Sequence, residues 1–270
     1  MLTPDHEHLH RLRNDELDLV LAQLPWQGAA RRGIKLLELG AGTGYQANRL
    51  SDAGFDVTAL DVLTSSYRSQ RIFPIVDYDG VRLPIDDASM DVIFSSNVLE
   101  HVTELATALA EMRRVLKPNG LAIHVIPSPT WRVWTTFAHF PWLLIKAVGW
   151  LIGILSNAKD ATNPRHSSAT VRNAYRDLLP RRHGERGSVI TEMFYFSARW
   201  WRREFVRGGF TLTHELAGGL FYTGCRVYGA RWSVAGRRGA ARWLGSACRL
   251  YQMRLRSVPT SVPDPARAIR

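Results

Sequence analysis

The chain has 270 residues, 46% of them hydrophobic and 22% charged, with a formal net charge of +11. That is apolar material for one full α/β core plus an insertion, and it excludes a disordered chain or two large independent domains. The two cysteines, Cys225 and Cys248, lie far apart and match no metal-ligand spacing, which excludes a disulfide scaffold or cysteine zinc site and fits a reducing compartment.

Charge is distributed unevenly. Through Thr130 there are 12 Lys and Arg against 17 Asp and Glu, whereas from Trp131 onward the counts are 23 and 7. A mildly acidic half is followed by a strongly basic one. The basic half is expected to face an anionic partner: phospholipid headgroups, a phosphorylated substrate or nucleic acid. The alternative is a solvated arginine-rich surface.

Met1 to His10 has no apolar run, so no secretory signal is expected there. Leu9, Leu12, Leu17, Val20, Leu21 and Leu24 recur at helical spacing and predict a leading helix over about Asp5–Leu24, closed by Pro25. Apolar runs then predict strands at Ile34–Leu39, Val57–Leu60, Ile72–Val76, Asp91–Ser95 and Gly120–Ile126. Helices are predicted at Gly44–Ala53 and Thr103–Leu116. Such alternation implies parallel strands joined by right-handed crossovers. The crossover Leu63–Arg71 is short, with room for two helical turns or a loop.

The first strand ends in Glu38-Leu39-Gly40-Ala41-Gly42-Thr43-Gly44. Glycine at every second position permits positive φ and a close backbone approach to a ligand. A nicotinamide fingerprint would need glycine at position 45, which is Tyr45. An acid before the first glycine suits an ammonium group better than a pyrophosphate. Asp61 ends the second strand, where a ribose-binding carboxylate belongs in a doubly wound sheet.

After the fifth strand, Trp131–Tyr195 interrupts the alternation on the side where such sheets bind ligands. Val133–Leu155 is apolar enough in composition to reach across a bilayer, but a single crossing would strand the remaining sheet segments on the far side. The segment is therefore expected to be a buried cap, an interfacial helix, or a re-entrant hairpin broken at Pro141. Trp131, Trp134, Trp142 and Trp150 fit interfacial anchoring. Arg181-Arg182-His183-Gly184-Glu185-Arg186-Gly187 gathers groups suited to an anionic acceptor, and Tyr222 is a further candidate for its pocket. Ser197–Arg207 reads as a helix. Phe210–Leu216 and Phe221–Tyr228 read as a closing hairpin, followed by a basic amphipathic tail from Arg231.

Several blocks carry a family resemblance: the acid–glycine loop, Asp61, Asp79-Gly80 with Leu83–Asp91, Ser95–Val102, and Glu111–Gly120. Together they resemble the class I S-adenosylmethionine-dependent methyltransferases, in a type 11-like group similar to quinone-, lipid- and glycan-pathway enzymes. The resemblance spans about Ile34–Pro127, and Phe196–Gly229 more weakly. It implies a Rossmann-like, doubly wound, mostly parallel seven-stranded α/β sheet with an antiparallel closing hairpin and a helical insertion after strand 5. The chain then divides into a helix (1–30), a cofactor domain (31–130 and 196–230), the insertion (131–195) and the tail (231–270).

The resemblance also implies S-adenosylmethionine as cofactor. Glu38, Gly40, Ala41, Gly42, Thr43 and Gly44 would hold its methionine end, Asp61 and Val62 the ribose, and Asp79 and Gly80 the adenine, with Asn97 beside them. His101, just past the fourth strand, is the candidate base, and His183, Glu185, Arg186 and Tyr222 are candidates for the acceptor. In quinone O-methyltransferases an acid stands at the place of Asn97 and, with the matches of Glu100 and His101, binds a divalent cation. Neutral Asn97 removes that charge, so no metal is expected. The expected acceptor is a small molecule, lipid or lipid-linked glycan, methylated on oxygen by a cytoplasmic protein peripheral to the inner membrane face. The alternatives are an RNA methyltransferase, although no RNA-binding module accompanies the fold, and a catalytically silent cofactor-binding subunit.

Overall fold

A computed structural model describes residues 4–157, 180–223 and 232–256. Helix α1 (Pro4–Gln23) leads into strand β1 (Lys35–Leu39), helix α2 (Tyr45–Asp52), strand β2 (Asp56–Val62), strand β3 (Ile75–Tyr78) and strand β4 (Met90–Ser96). Helix α3 (Leu105–Val115), strand β5 (Leu116–Pro127) and helix α4 (Pro129–Asn157) follow. Beyond the insertion come a short helix α5 (Glu192–Tyr195), helix α6 (Ala198–Arg207), strand β6 (Phe210–Ala217), helix α7 (Val234–Leu244) and strand β7 (Cys248–Leu255).

The seven strands are ordered β3-β2-β1-β4-β5-β7-β6. β1 to β5 pair in parallel, and β7 runs antiparallel between β5 and β6. Successive strand residues point to opposite faces, so both faces must be covered. Leu36, Val92 and Ile123 meet α1 and α2 residues such as Leu17, Val20 and Leu50. Leu37, Ile93 and Met253 meet Leu109 and Met112 of α3 and Trp201 and Phe205 of α6. The side-chain oxygen of Ser197 accepts from Trp200 N and caps α6.

The closing element corrects the expectation of a hairpin over Phe221–Tyr228. Phe221–Thr223 belong to no strand, and 224–228 lie outside the described residues. The antiparallel partner is β7, from what looked like a separate basic tail. Cys248, Leu250, Tyr251 and Met253 are buried there, between two strands. Its two arginines masked this pattern, because each has a local partner: Arg249 meets Glu215 Oε1 at 2.6 Å and Arg254 donates to Asn119 O at 2.7 Å.

The β2–β3 crossover contains only a 3-10 turn at Arg68–Gln70. The third strand starts at Ile75 rather than Ile72 because the preceding residues pack on the glycine loop, with Ile72 N donating to Thr43 O at 2.8 Å.

One form expected for the insertion is also excluded. α4 continues through Pro141, so it is not a hairpin broken there. Among the described residues, Phe137, Phe140, Leu144, Ile145, Val148, Leu151 and Ile152 of α4 are exposed. Among the described residues no helix is long and apolar enough to cross a membrane. Trp131 and Trp134 face the protein instead of an interface: Trp131 is buried in the core, and Trp134 donates to Leu244 O at 3.0 Å.

Candidate cofactor and acceptor site

At the carboxyl end of β1 the chain turns through three left-handed glycines, with φ of 70° at Gly40, 60° at Gly42 and 79° at Gly44. Two of them are also sterically required. A Cβ on Gly40 would overlap the Val98 side chain, and one on Gly44 would stand 2.6 Å from Phe73 Cβ. The amides of Gly40 and Ala41 both donate to Leu60 O of β2, at 2.9 and 3.0 Å, which pins the loop against the neighbouring strand. α1 lies across the start of α2, where Asn14 donates to Tyr45 Oη at 2.9 Å and the His10 and Tyr45 rings are 4.0 Å apart.

Two buried carboxylates flank this loop. Glu38 is 2% exposed and Asp61 7%. Asp61 Oδ1 accepts from Val62 N at 2.9 Å, while Asp61 Oδ2 and Glu38 Oε2 have no hydrogen-bond partner among the described residues. Burial, and then the charge of Asp61, push Glu38 up to about 8. Buried acceptors without donors are costly, so such a pair marks where a ligand must bring its own. An ammonium group and a sugar hydroxyl are donors of the right kind.

Past the second strand, Asp79 Oδ1 accepts from Val81 N and Arg82 N at 2.8 and 2.9 Å. Its carboxylate is thus engaged by its own turn, and those amides hold it below the usual carboxylate range. Gly80 lines a small apolar cleft with Leu39, Tyr78, Leu83, Val98 and Leu99. Leu83 is fixed by Glu111, which accepts from its amide at 2.9 Å, and by Arg114, which donates to its carbonyl at 2.9 Å.

After β4, Asn97 takes a left-handed conformation, φ 56°. Assigned by its neighbours, its amide oxygen accepts from Arg13 Nη2 at 3.3 Å. Arg13 pairs with buried Glu16 at 2.6 Å, and Tyr222 donates to Glu16 Oε1 at 2.9 Å. Tyr222 is therefore tied into a network with α1, not with the His183 loop. Burial pushes its hydroxyl well above the usual phenol range.

His101, Glu100 and His183 do come together. His101 Nε2 and His183 Nε2 lie 3.8 and 3.7 Å from Glu100 Oε1, and the imidazole centroids are 4.7 Å apart. Trp131 packs on His183 at 4.6 Å. Burial holds His101 below the usual imidazole range, opposed by the Glu100 charge and reinforced by His183. Glu185 instead pairs with Arg182 at 3.0 Å, at the surface. Arg186 turns inward to the carbonyls of Leu99, Val102 and Thr103. Behind the loop, buried Glu192 accepts from His183 N at 2.6 Å and Gly184 N at 2.7 Å, and faces Arg132 Nε of α4 at 3.2 Å. Sequence reasoning missed Arg13, Glu16, Arg132 and Glu192. Only distant parts of the chain bring them to the site, and no local spacing signals that.

This strand order, with an acid–glycine loop after β1 and an acid after β2, defines a class I methyltransferase fold. Residues 37–124 match the family model described as a methyltransferase domain. A demethylmenaquinone methyltransferase of Beutenbergia cavernae is 35% identical over 131 residues, 44% of this chain and 54% of that protein. A malonyl-[acyl-carrier protein] O-methyltransferase of Serratia marcescens is 36% identical over 100 residues, 36% of this chain and 39% of that protein. The chain thus spans about half the length of the first of these relatives and less of the second. An S-adenosylmethionine-dependent methyltransferase from Mesorhizobium loti superposes with a TM-score of 0.52 at 16% identity, covering 89% of this chain and 97% of its own. A geranyl diphosphate methyltransferase in complex with S-adenosylmethionine gives 0.50 at 12% identity, covering 92% and 87%. Residues 37–124 thus match a methyltransferase domain, in a chain with the fold of S-adenosylmethionine-dependent methyltransferases, and the unsatisfied acids and the glycine turn fit that cofactor.

Proposed function

We propose that this chain transfers a methyl group from S-adenosylmethionine to an oxygen of a small-molecule, lipid or lipid-linked glycan acceptor, at the surface of an anionic membrane. The observation that carries the transfer reading is the convergence, at one end of the sheet, of the unpartnered Glu38 and Asp61 acids with the His101–Glu100–His183 group. When bound, the cofactor supplies a methyl carbon already activated by its sulfonium. The chain's own work is to bind, to orient and to manage a proton. Glu38 takes the ammonium, Asp61 the ribose, and the cleft at Gly80 and Leu99 the adenine. His101, held neutral by burial, accepts the proton that a hydroxyl must lose, a contribution on the order of 10²–10⁴-fold.

The two named relatives have different acceptors in their names, and the matched stretch is the cofactor half. The acceptor reading therefore rests on the insertion. α4 offers an exposed apolar side from Phe137 to Ile152, with Lys146 Nζ 4.9 Å from the Trp142 ring centroid. At its base the Trp134–Leu244 hydrogen bond joins it to the end of α7, where Trp243 is 90% exposed and Arg242 precedes it. Apolar side chains edged by arginines, in a half of the chain with 23 basic and 7 acidic residues, suit an interface of acyl chains and anionic headgroups.

Calorimetry with S-adenosylmethionine tests the first half, and no binding ends the proposal. Mass spectrometry of lipid and glycan extracts incubated with methyl-labelled cofactor identifies the acceptor. Flotation with phosphatidylglycerol vesicles tests the second half: the protein is expected to float with them and not with phosphatidylcholine. Absence from both fractions removes the membrane.

A further inference from the structure

Helix α4 divides into two parts. Its first turn is buried at Trp131 and Arg132, whereas further along Phe137, Phe140, Leu144, Ile145, Val148 and Ile152 are exposed. Both buried residues serve the His183 loop. Trp131 packs on the His183 imidazole, and Arg132 reaches Glu192 of α5. Glu192 Oε1 accepts from His183 N and Gly184 N, so one carboxylate joins the first turn of α4 to the backbone of that loop. The connection continues to the end of β4. There Glu185 N donates to Glu100 O at 2.9 Å, and a Cβ on Gly184 would stand 2.9 Å from the same oxygen.

The Arg132–Glu192 pair is buried but incompletely made, its side chains 2% and 0% exposed. Arg132 Nε lies 3.2 Å from Glu192 Oε2, yet it donates to Val189 O at 3.4 Å. Among the described residues neither Arg132 Nη2 nor Glu192 Oε2 has a hydrogen-bond partner. Buried charges short of partners are costly, and apolar side chains of similar size would hold two helices together at least as well. Firm packing therefore does not explain the pair. What a half-made pair provides is a second arrangement. A small shift of the first turn of α4 that brings Nη2 onto Oε2 is favourable, and it presses the loop onto the β4 turn. Phe137 follows Arg132 on the same unbroken helix, about 7–8 Å along its axis. Whatever seats the exposed part of α4 thus moves the pair.

We propose that Arg132 and Glu192 are positioning residues that carry the seating of α4 on an anionic membrane to the His183 loop, closing the acceptor side of the site when lipid is engaged. The inference rests on the reading of α4 as the membrane-facing helix. An interfacial helix settles with its apolar side chains among the acyl chains and its axis in the plane of the surface. The change in tilt is taken up at the anchored end, where the pair closes. Two arrangements of one pair are the bistable element that such coupling requires. By reciprocity, a closed loop strengthens membrane binding.

The test needs no acceptor. Hydrogen exchange is read in the peptide 181–187, which holds both amides bound by Glu192, with and without saturating phosphatidylglycerol vesicles. The full chain is compared as wild type, Arg132→Met and Glu192→Gln. The double variant removes both charges and keeps the test open if a single one does not fold. In the wild type, vesicles should slow this exchange by about tenfold, the effect of one charge-assisted hydrogen bond gained. The variants should still float with vesicles and bind S-adenosylmethionine, while the vesicle-induced slowing is lost. Loss of a merely structural pair raises exchange equally with and without vesicles and leaves the vesicle effect in place. Slowing preserved in the variants, or absent from a wild type that floats, overturns the inference. A folded variant that no longer floats overturns it as well, since the pair would then build the membrane face. A wild type that does not float overturns the membrane reading itself, which tells the two failures apart.

Discussion

Glu38 and Asp61 end adjacent parallel strands, and each carries a buried carboxylate oxygen that no described residue satisfies. Burial, and then the charge of Asp61, push Glu38 up, so that it stays protonated up to about 8. The site is therefore strained toward a cation before one arrives. In the unfolded chain Glu38 loses its proton near the ordinary glutamate value, whereas the folded chain keeps it. Stability should accordingly fall as pH rises from about 4.5 to 8, because over that window the folded state binds more protons. Glu38→Gln removes this dependence. We expect its melting temperature at pH 8 to exceed that of the wild type without cofactor, while its S-adenosylmethionine affinity drops at least roughly tenfold for the lost charge-assisted hydrogen bond. Thermal melts at pH 5 and pH 8, with and without cofactor, check both signs.

Asp61→Asn should act on the same pair from the other side. Asp61 is the charge that raises Glu38 beyond the effect of burial, so the variant should lower the pH at which the fall in stability with rising pH levels off. It should also weaken cofactor binding, by about 1–3 kcal/mol for a ribose hydroxyl left with a poorer acceptor. Calorimetry across pH 6 to 9 separates the two effects, since only the first changes the proton count on binding.

The cofactor half was legible because its chemistry is local. An acid, three glycines and a second acid one strand later are tied to a single turn geometry, and Gly40 and Gly44 show why no side chain can replace them. His101 could be singled out as a candidate for the same reason, since it lies in the turn just past β4. The acceptor side was not. His183 reaches Glu100 only because Glu192, nine residues on, and Arg132, far upstream, lock its loop in place. The hydroxyl of Tyr222 bonds Glu16 of α1, a partner far away in the chain that its own surroundings in the sequence do not signal. β7 was missed because arginines at 249 and 254 break the apolar run of a strand whose burial is decided by its two neighbours.

Arg114 should matter to cofactor binding without touching the cofactor. Its guanidinium donates to Leu83 O, Ile85 O, Asp87 and Glu111, so it fastens the segment that walls the cleft at Gly80 and Leu83, the cleft proposed for the adenine. Hydrogen bonding to Glu111 and Asp87 holds it in the charged state throughout the accessible pH range. Arg114→Ala leaves the Leu83 and Ile85 carbonyls without that donor. Stability is expected to fall by about 1–3 kcal/mol in urea, with a several-fold loss of S-adenosylmethionine affinity. An unchanged affinity would mean that the Leu83–Asp87 segment holds its shape without the clamp.

Truncation distinguishes a strand from a tail. β7 fills the gap between β5 and β6, pairing from Ala122↔Met253 to Pro127↔Cys248 on one side and from Phe210↔Leu255 to Ala217↔Arg249 on the other. It also supplies Leu250, Tyr251 and Met253 to the two hydrophobic faces. A chain ended after Ser246 leaves the edges of β5 and β6 unpaired and uncovers Phe205, whose ring centroid lies 5.5 Å from that of Tyr251. It should be insoluble or unfolded by circular dichroism. A chain ended after Arg256 retains every described pairing of the sheet, and its melting temperature should stay within a few degrees of the full chain. A cooperative melt from the shorter chain would show that the sheet closes without Cys248–Leu255.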